Sequence, residues 1–193
     1  MKRIAFFISG TGGNALNLIR ACREGRVMGL PVLGLASTPK AGGIARLEAE
    51  GLPVAVVVRK DFDSDEAFSE ACYQAAGKAG ADLICLCGWL KKLAVPSDWA
   101  GRILNIHPGL LPQYGGPGMY GMHVHRAVLA AGEAESGATV HLVDGEYDHG
   151  PILDQMRVPV LPGDAPEDLQ KRVYAAEMEL FPRALAAYLQ EQA

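Results

Sequence analysis

Two polar residues two positions apart, Asn105 and His107, stand in the otherwise apolar run Leu104-Asn105-Ile106-His107-Pro108-Gly109-Leu110-Leu111-Pro112. The segment from Ile103 to Ile106 reads as a short strand entering a loop stiffened by Pro and Gly. Side chains alternate along a strand, so residues 105 and 107 project from one face. They emerge together at its carboxyl end, where open α/β sheets hold their ligands. The amide is a fixed donor, and the imidazole gives or takes a proton near neutral pH. The pair suits acyl transfer, in which one group steadies an oxyanion and the other moves a proton. A histidine that only caps a strand end is the plainer reading of His-Pro alone, so the rest of the chain has to decide.

Three further segments carry polar chemistry. Ser9-Gly10-Thr11-Gly12-Gly13-Asn14 lies between an apolar run and a helical pattern. A glycine-rich turn there lets backbone N–H groups and a helix N-terminus face an anion. Gly10, Gly12 and Ala15 also fit a loose dinucleotide fingerprint, but Leu35-Ala36-Ser37-Thr38 stands where its acidic residue belongs. A phosphate monoester is the better ligand; a tight turn with no ligand is the plainer alternative. His141-Leu142-Val143-Asp144-Gly145-Glu146-Tyr147-Asp148-His149-Gly150-Pro151 packs acids and histidines into one turn-rich loop. Its spacing fits neither an EF-hand nor a His-Glu-x-x-His helix, so no metal site is expected. An Asp148 held by the Gly-Pro turn beside His107 would favour the imidazolium; a solvated acidic loop is the alternative. Gly88-Trp89-Leu90-Lys91-Lys92-Leu93 follows a buried strand and could wall a pocket for a flat heterocycle, or simply be core.

These segments need a frame, and the hydropathy pattern supplies one. Strands are expected at Ile4 to Ser9, Pro31 to Ser37, Val54 to Val58, Leu83 to Cys87 and Ile103 to Ile106, with helices at Asn14 to Glu24, Ile44 to Glu50 and Ser64 to Ala79. Gly51 would end the second helix, and Asp61, Asp63 or Ser64 would cap the third. Five strands with helical crossovers give a doubly wound, mostly parallel sheet with flanking helices, a Rossmann-like α/β fold. After residue 110 the pattern changes: a loop from Leu111 to Met122, a helix from Val124 to Ala131, a hairpin of Thr139 to Val143 with Ile152 to Val160, and a long helix from Glu167 to Gln190, bent near Pro182. One domain over residues 1–193 is expected, with no linker or repeat.

Composition narrows the function. Apolar residues make up 49% and charged residues 21%, which is ordinary for a globular chain. The net charge of −4 argues against a nucleic-acid partner, because phosphate backbones select basic surfaces. No apolar run reaches a membrane span. Cys22, Cys72, Cys85 and Cys87 lack zinc-type spacing, which fits a reducing, cytoplasmic setting.

Taken together, from about residue 2 to residue 190, these segments make the chain resemble the phosphoribosylglycinamide formyltransferase family. The resemblance rests on Asn105-Ile106-His107-Pro108, Leu110-Leu111-Pro112, Asp148-x-Gly150-Pro151 and the loop Gly12-Gly13-Asn14. It implies formyl transfer from 10-formyltetrahydrofolate, as co-substrate, to the amine of glycinamide ribonucleotide in purine synthesis. It further implies that Asn105 and protonated His107 stabilise the oxyanion and that Asp148 supports His107. Gly12, Gly13 and Asn14 would hold phosphate and Glu177 the ribose; Leu90, Lys91, Lys92 and Leu93, with Asn105, would line the folate site; Thr139, His141 and Asp144 would play supporting roles. Small-molecule substrates and a monomer or homodimer are implied, with no metal, membrane or nucleic acid.

Two features depart from the family pattern. Asp65 stands where many members carry a basic residue facing the folate tail, and Gln113 to Met122 is longer than the commonest form. A formyltetrahydrofolate hydrolase would share Asn105, His107 and Asp148 but usually adds an N-terminal domain, and a methionyl-tRNA formyltransferase would add a basic C-terminal one. Sugar-amine formyltransferases, a nicotinamide oxidoreductase and a non-catalytic binding protein complete the alternatives.

Overall fold

A computed structural model describes residues 1–192. Among these residues seven strands form one sheet: β1 (Lys2–Ile8), β2 (Gly29–Ala36), β3 (Val54–Val56), β4 (Leu83–Leu86), β5 (Ile103–His107), β6 (Glu135–Leu142) and β7 (Ile152–Pro159). Their order is β3-β2-β1-β4-β5-β6-β7. The first five run parallel, and β6 and β7 are antiparallel to their neighbours. The expected mixed sheet is therefore present, with the hairpin added at its β5 edge. Strand order reverses between β1 and β4, so the loops leaving their carboxyl ends flank the crevice where such sheets bind ligands.

The helices are α1 (Gly13–Arg23), α2 (Gly43–Ala49), α3 (Asp65–Lys78), α4 (Met122–Ala130) and α5 (Pro166–Glu191). One apolar core lies where α1, α2, α4 and α5 cover the sheet, with Phe6, Leu104, Ile106 and Phe181 inside it. A second lies under α3, around Phe7, Phe68, Trp89 and Ile103. Both faces of the parallel strands are thus buried, which is why those strands read as continuous apolar runs. Ser64 is the residue that caps α3, accepting from the Ala67 N–H at 3.1 Å. Gly51 takes the left-handed conformation just beyond α2, with φ 71°.

Two expectations need correction. The crossover from β4 to β5 contains no α-helix, only a single 3-10 turn at Ser97–Trp99. Pro96 and Gly101 break that segment, and Leu93 instead plugs directly into the α3-side core. The hairpin strand β6 also begins four residues early, because Glu135 to Ala138 pair with Met156 to Pro159. Pro182 does not end α5, which continues through it. Proline removes the N–H that the Met178 carbonyl would accept; the Asn17 Nδ2 donates to that carbonyl instead, at 2.7 Å. Among the described residues no helix is long and apolar enough to cross a membrane.

Candidate active site

Asn105 and His107 do leave β5 toward a common target, a single carboxylate. His107 Nδ1 lies 3.4 Å from Asp148 Oδ2, and Asn105 Nδ2 lies 3.5 Å from Asp148 Oδ1. His141 stands opposite Asn105 across the β5–β6 ladder. Its Nε2 is 3.0 Å from Asn105 Nδ2 and 3.6 Å from Asp148 Oδ1. The loop between β6 and β7 delivers Asp148 in a left-handed conformation, φ 55°, which Asp tolerates better than most residues. Gly150 lets the chain turn back: a Cβ there would lie 2.0 Å from the Leu142 carbonyl oxygen. The Gly116 N–H also donates to Asp148 Oδ2, at 3.1 Å.

Burial alone would push the Asp148 carboxyl up. The hydrogen bond from His107, the His107 charge and the Gly116 N–H outweigh burial and hold it well below the usual carboxylate range. Asp148 is therefore a carboxylate at neutral pH. The neighbouring protons follow from which groups can donate. His141 Nδ1 donates to the Leu142 carbonyl at 2.9 Å, so its Nε2 is left as an acceptor. Asn105 then faces two acceptors and must present its NH2 group. One hydrogen goes to His141; the other is only loosely engaged by Asp148. His107 has an acceptor at each nitrogen, Asp148 at Nδ1 and the Tyr114 carbonyl at Nε2, 2.6 Å away. The carbonyl calls for a proton on Nε2, and the carboxylate favours one on Nδ1.

This cluster floors a cavity of about 400 Å³. On one side, Leu86, Trp89, Leu90, Leu93 and Val143 give an apolar wall. Trp89 and Leu93 are buried and serve as core and lining at once, whereas Leu90 is half exposed at the mouth with Lys91 and Lys92. The Leu90 N–H donates to Ser9 Oγ at 2.9 Å, which ties this loop to the end of β1. On the other side the wall is polar: Asn14, Gln170, Tyr174 and Glu177. Asn14 Nδ2 donates to Glu177 Oε2 at 2.8 Å, while Asn14 Oδ1 is buried without a donor. Burial pushes the Glu177 carboxyl up to about 7, against the lowering effects of Asn14 and the His107 charge.

The remaining expected residues divide. Gly12 and Gly13 do not line the cavity; they begin α1 beside it, Gly12 at φ 70°. The Tyr174 hydroxyl sits over Gly13, 2.0 Å from where a Cβ would be. Thr139 braces the loop after β5. Its hydroxyl donates to the Gly109 carbonyl at 2.7 Å and accepts from the Leu111 N–H at 3.1 Å. Asp144 stays outside the cluster and pairs with exposed His149 at 2.8 Å. Asp65 is engaged by Arg59 at 2.5 Å.

Sequence reasoning missed several lining residues. Tyr174 and Gln170 sit on α5, where polar residues read as a solvated face. Met119 and Tyr120 fall in the long loop, and Tyr147 in the acidic one. His125 lies on α4, 1% exposed, with Nδ1 unpartnered. Burial, then the charge of His107, lowers its pKa.

Comparison with known proteins places the chain among relatives. Residues 2–185 match the formyl transferase family. Phosphoribosylglycinamide formyltransferase of Escherichia coli (strain K12) is 34% identical over 185 residues, covering 95% of this chain and 85% of that protein. The trifunctional purine biosynthetic protein adenosine-3 of Drosophila melanogaster is 42% identical over 189 residues, or 96% of this chain. The chain spans only 14% of that longer protein. Among solved structures, glycinamide ribonucleotide transformylase 1 from Symbiobacterium toebii superposes with a TM-score of 0.93 at 35% identity, covering 99% of this chain and 89% of that one. A chain that carries Asn105, His107 and Asp148 in one cluster, on this sheet and with these relatives, belongs to the formyl transferase family, among its phosphoribosylglycinamide formyltransferases.

Proposed function

We propose that this chain moves the formyl group of 10-formyltetrahydrofolate onto the amine of glycinamide ribonucleotide, giving N-formylglycinamide ribonucleotide and tetrahydrofolate in purine synthesis. The observation that carries the reading is the convergence of Asn105, His107 and His141 on one half-buried carboxylate at the floor of a two-sided cavity. The flat folate ring suits the apolar wall of Trp89, Leu90 and Leu93, with the folate tail toward Lys91 and Lys92 at the mouth. The ribonucleotide suits the polar wall. Asn14 and Glu177 offer acceptors to ribose hydroxyls, one of them an orphaned Asn14 oxygen that needs a donor. The start of α1 at Gly12 and Gly13 offers N–H groups to the phosphate.

The chemistry then follows the site. The amine nitrogen attacks the formyl carbon, a C–N bond forms and the carbonyl oxygen becomes an oxyanion. The loosely held Asn105 N–H is the donor available to that oxygen, and the charge on His107 favours its formation. Collapse breaks the bond to folate N10, which gains a proton as the attacking nitrogen loses one. Asp148 keeps His107 charged and oriented throughout. The whole described chain acts as one unit in this reading.

The test is the absorbance change of 10-formyl-5,8-dideazafolate with and without glycinamide ribonucleotide. Deformylation is expected only with the ribonucleotide, and His107→Ala is expected to reduce turnover by at least about 10²-fold. Deformylation without an acceptor would instead identify a hydrolase. Turnover like the parent's in His107→Ala would remove His107 from the chemistry.

A further inference from the structure

The second proton of His107 goes to a main-chain carbonyl that belongs to a glycine-rich loop. Tyr114 is followed by Gly115, Gly116, Pro117 and Gly118, and two of these glycines have positive φ, 98° at Gly116 and 85° at Gly118. Such a segment has little intrinsic stiffness. Yet its first residue must hold an oxygen 2.6 Å from His107 Nε2. The side chain of Tyr114 supplies the restraint. Its ring packs against the main core, and its hydroxyl donates to Glu133 Oε1 at 2.8 Å. Glu133 is itself fixed in the tight turn between α4 and β6, where its N–H donates to the Val128 carbonyl at 3.3 Å.

We propose that Tyr114 is a positioning residue for His107: its carbonyl accepts the Nε2 proton of the ring, and its hydroxyl, anchored on Glu133, fixes that carbonyl. This rests on the formyl-transfer reading for its effect on rate, but not for its effect on the ring. With Asp148 at one nitrogen and Tyr114 at the other, His107 acts through its charge and not by handing a proton directly to the reacting oxygen. The other ionisable groups that bear on the ring are His125 from α4 and Glu177 from α5. Neither is held by Tyr114, so removing the tether leaves them in place.

Two measurements test the proposal. In 1H–15N spectra of the unliganded protein, both ring nitrogens of His107 should carry protons, with a slowly exchanging proton on Nε2. Tyr114→Phe should lose that slow exchange. A bare Nε2 in the parent protein, or an unchanged ring in Tyr114→Phe, overturns the proposal. In the formyl-transfer assay, Tyr114→Phe should lower kcat about tenfold, the size expected from losing one aligned hydrogen bond, with both KM values within about twofold. Glu133→Ala should do the same, Glu133→Gln should keep the parent rate because its amide oxygen still accepts, and Tyr114→Phe combined with Glu133→Ala should be no worse than either alone. Parent-like kcat in both Tyr114→Phe and Glu133→Ala, or Glu133→Gln as slow as Glu133→Ala, overturns it. A parent protein that moves no formyl group removes the activity reading, while the spectra still decide the ring.

Discussion

Asp148 holds the site together because each of its oxygens serves two neighbours. Oδ1 faces Asn105 and His141; Oδ2 faces His107 and the Gly116 N–H. Replacing it by asparagine keeps the shape but puts an NH2 where one of the donors now points. The amide also removes the negative charge that favours a doubly protonated His107. Asp148→Asn is therefore expected to lower kcat by roughly 10²-fold or more. The carboxyl of Asp148 is held well below the usual range and does not titrate near neutral pH, so the loss should persist across the neutral range. Parent-like kcat in the variant would show that Asp148 acts only as scaffold.

At the scale of elements, the β6–β7 loop decides whether Asp148 arrives. The Pro151 carbonyl accepts from the Leu142 N–H at 2.9 Å, so the chain closes back on β6 with no room beside Gly150. A methyl group there meets a backbone oxygen, which cannot swing aside as a side chain can. Gly150→Ala is expected to cost about 1–3 kcal/mol in urea unfolding and to reduce activity more than Gly132→Ala, which meets nothing within 4 Å. Equal effects would mean that the strain of positive φ at Gly132 matters as much as the clash. This loop also shows what a sequence can reveal. Asp148-His149-Gly150-Pro151 marks a rigid turn by composition, and Asn105 and His107 share a face by strand periodicity; both signals are local. The partners that complete the site are not local. Tyr174 meets Gly13, Tyr114 meets Glu133 and His125 lines the cavity from α4, all through packing between segments that periodicity treats separately. The crossover between β4 and β5, which a repeating strand–helix pattern would make helical, has the same origin: Leu93 and Trp89 fill a core that only the folded sheet provides.

At the scale of the whole molecule, the polar wall of the cavity costs stability, and Glu177 shows how much. It lies on α5, is 8% exposed, and pairs with Asn14 on α1, so two helices meet at a buried carboxyl. Its pKa rises from an ordinary 4.5 to about 7, chiefly by burial. Below pH 4.5 the group is protonated both folded and unfolded, and burial of its charge costs nothing. As pH rises from there to about 7, the unfolded chain ionises while the folded one stays protonated. The native state then binds more protons, and stability falls with pH. Above about 7 both are ionised and the full loss, on the order of 3 kcal/mol, is in place. Glu177→Gln removes this titration while keeping size and hydrogen-bonding shape. The difference in unfolding free energy between Glu177→Gln and the parent should therefore grow in favour of the variant from pH 4.5 to about 7 and stay level above it. Urea unfolding of both ligand-free proteins at pH 4.5, 6 and 8 measures it, and groups common to both cancel in the subtraction. The same substitution should raise the KM for the ribonucleotide, because one ribose acceptor becomes an amide. Stability gained at pH 8 together with affinity lost would show that the buried carboxylate is kept for binding at the expense of folding. A difference that does not change with pH would mean that the carboxyl keeps an ordinary pKa and that the wall is open to water in the free protein.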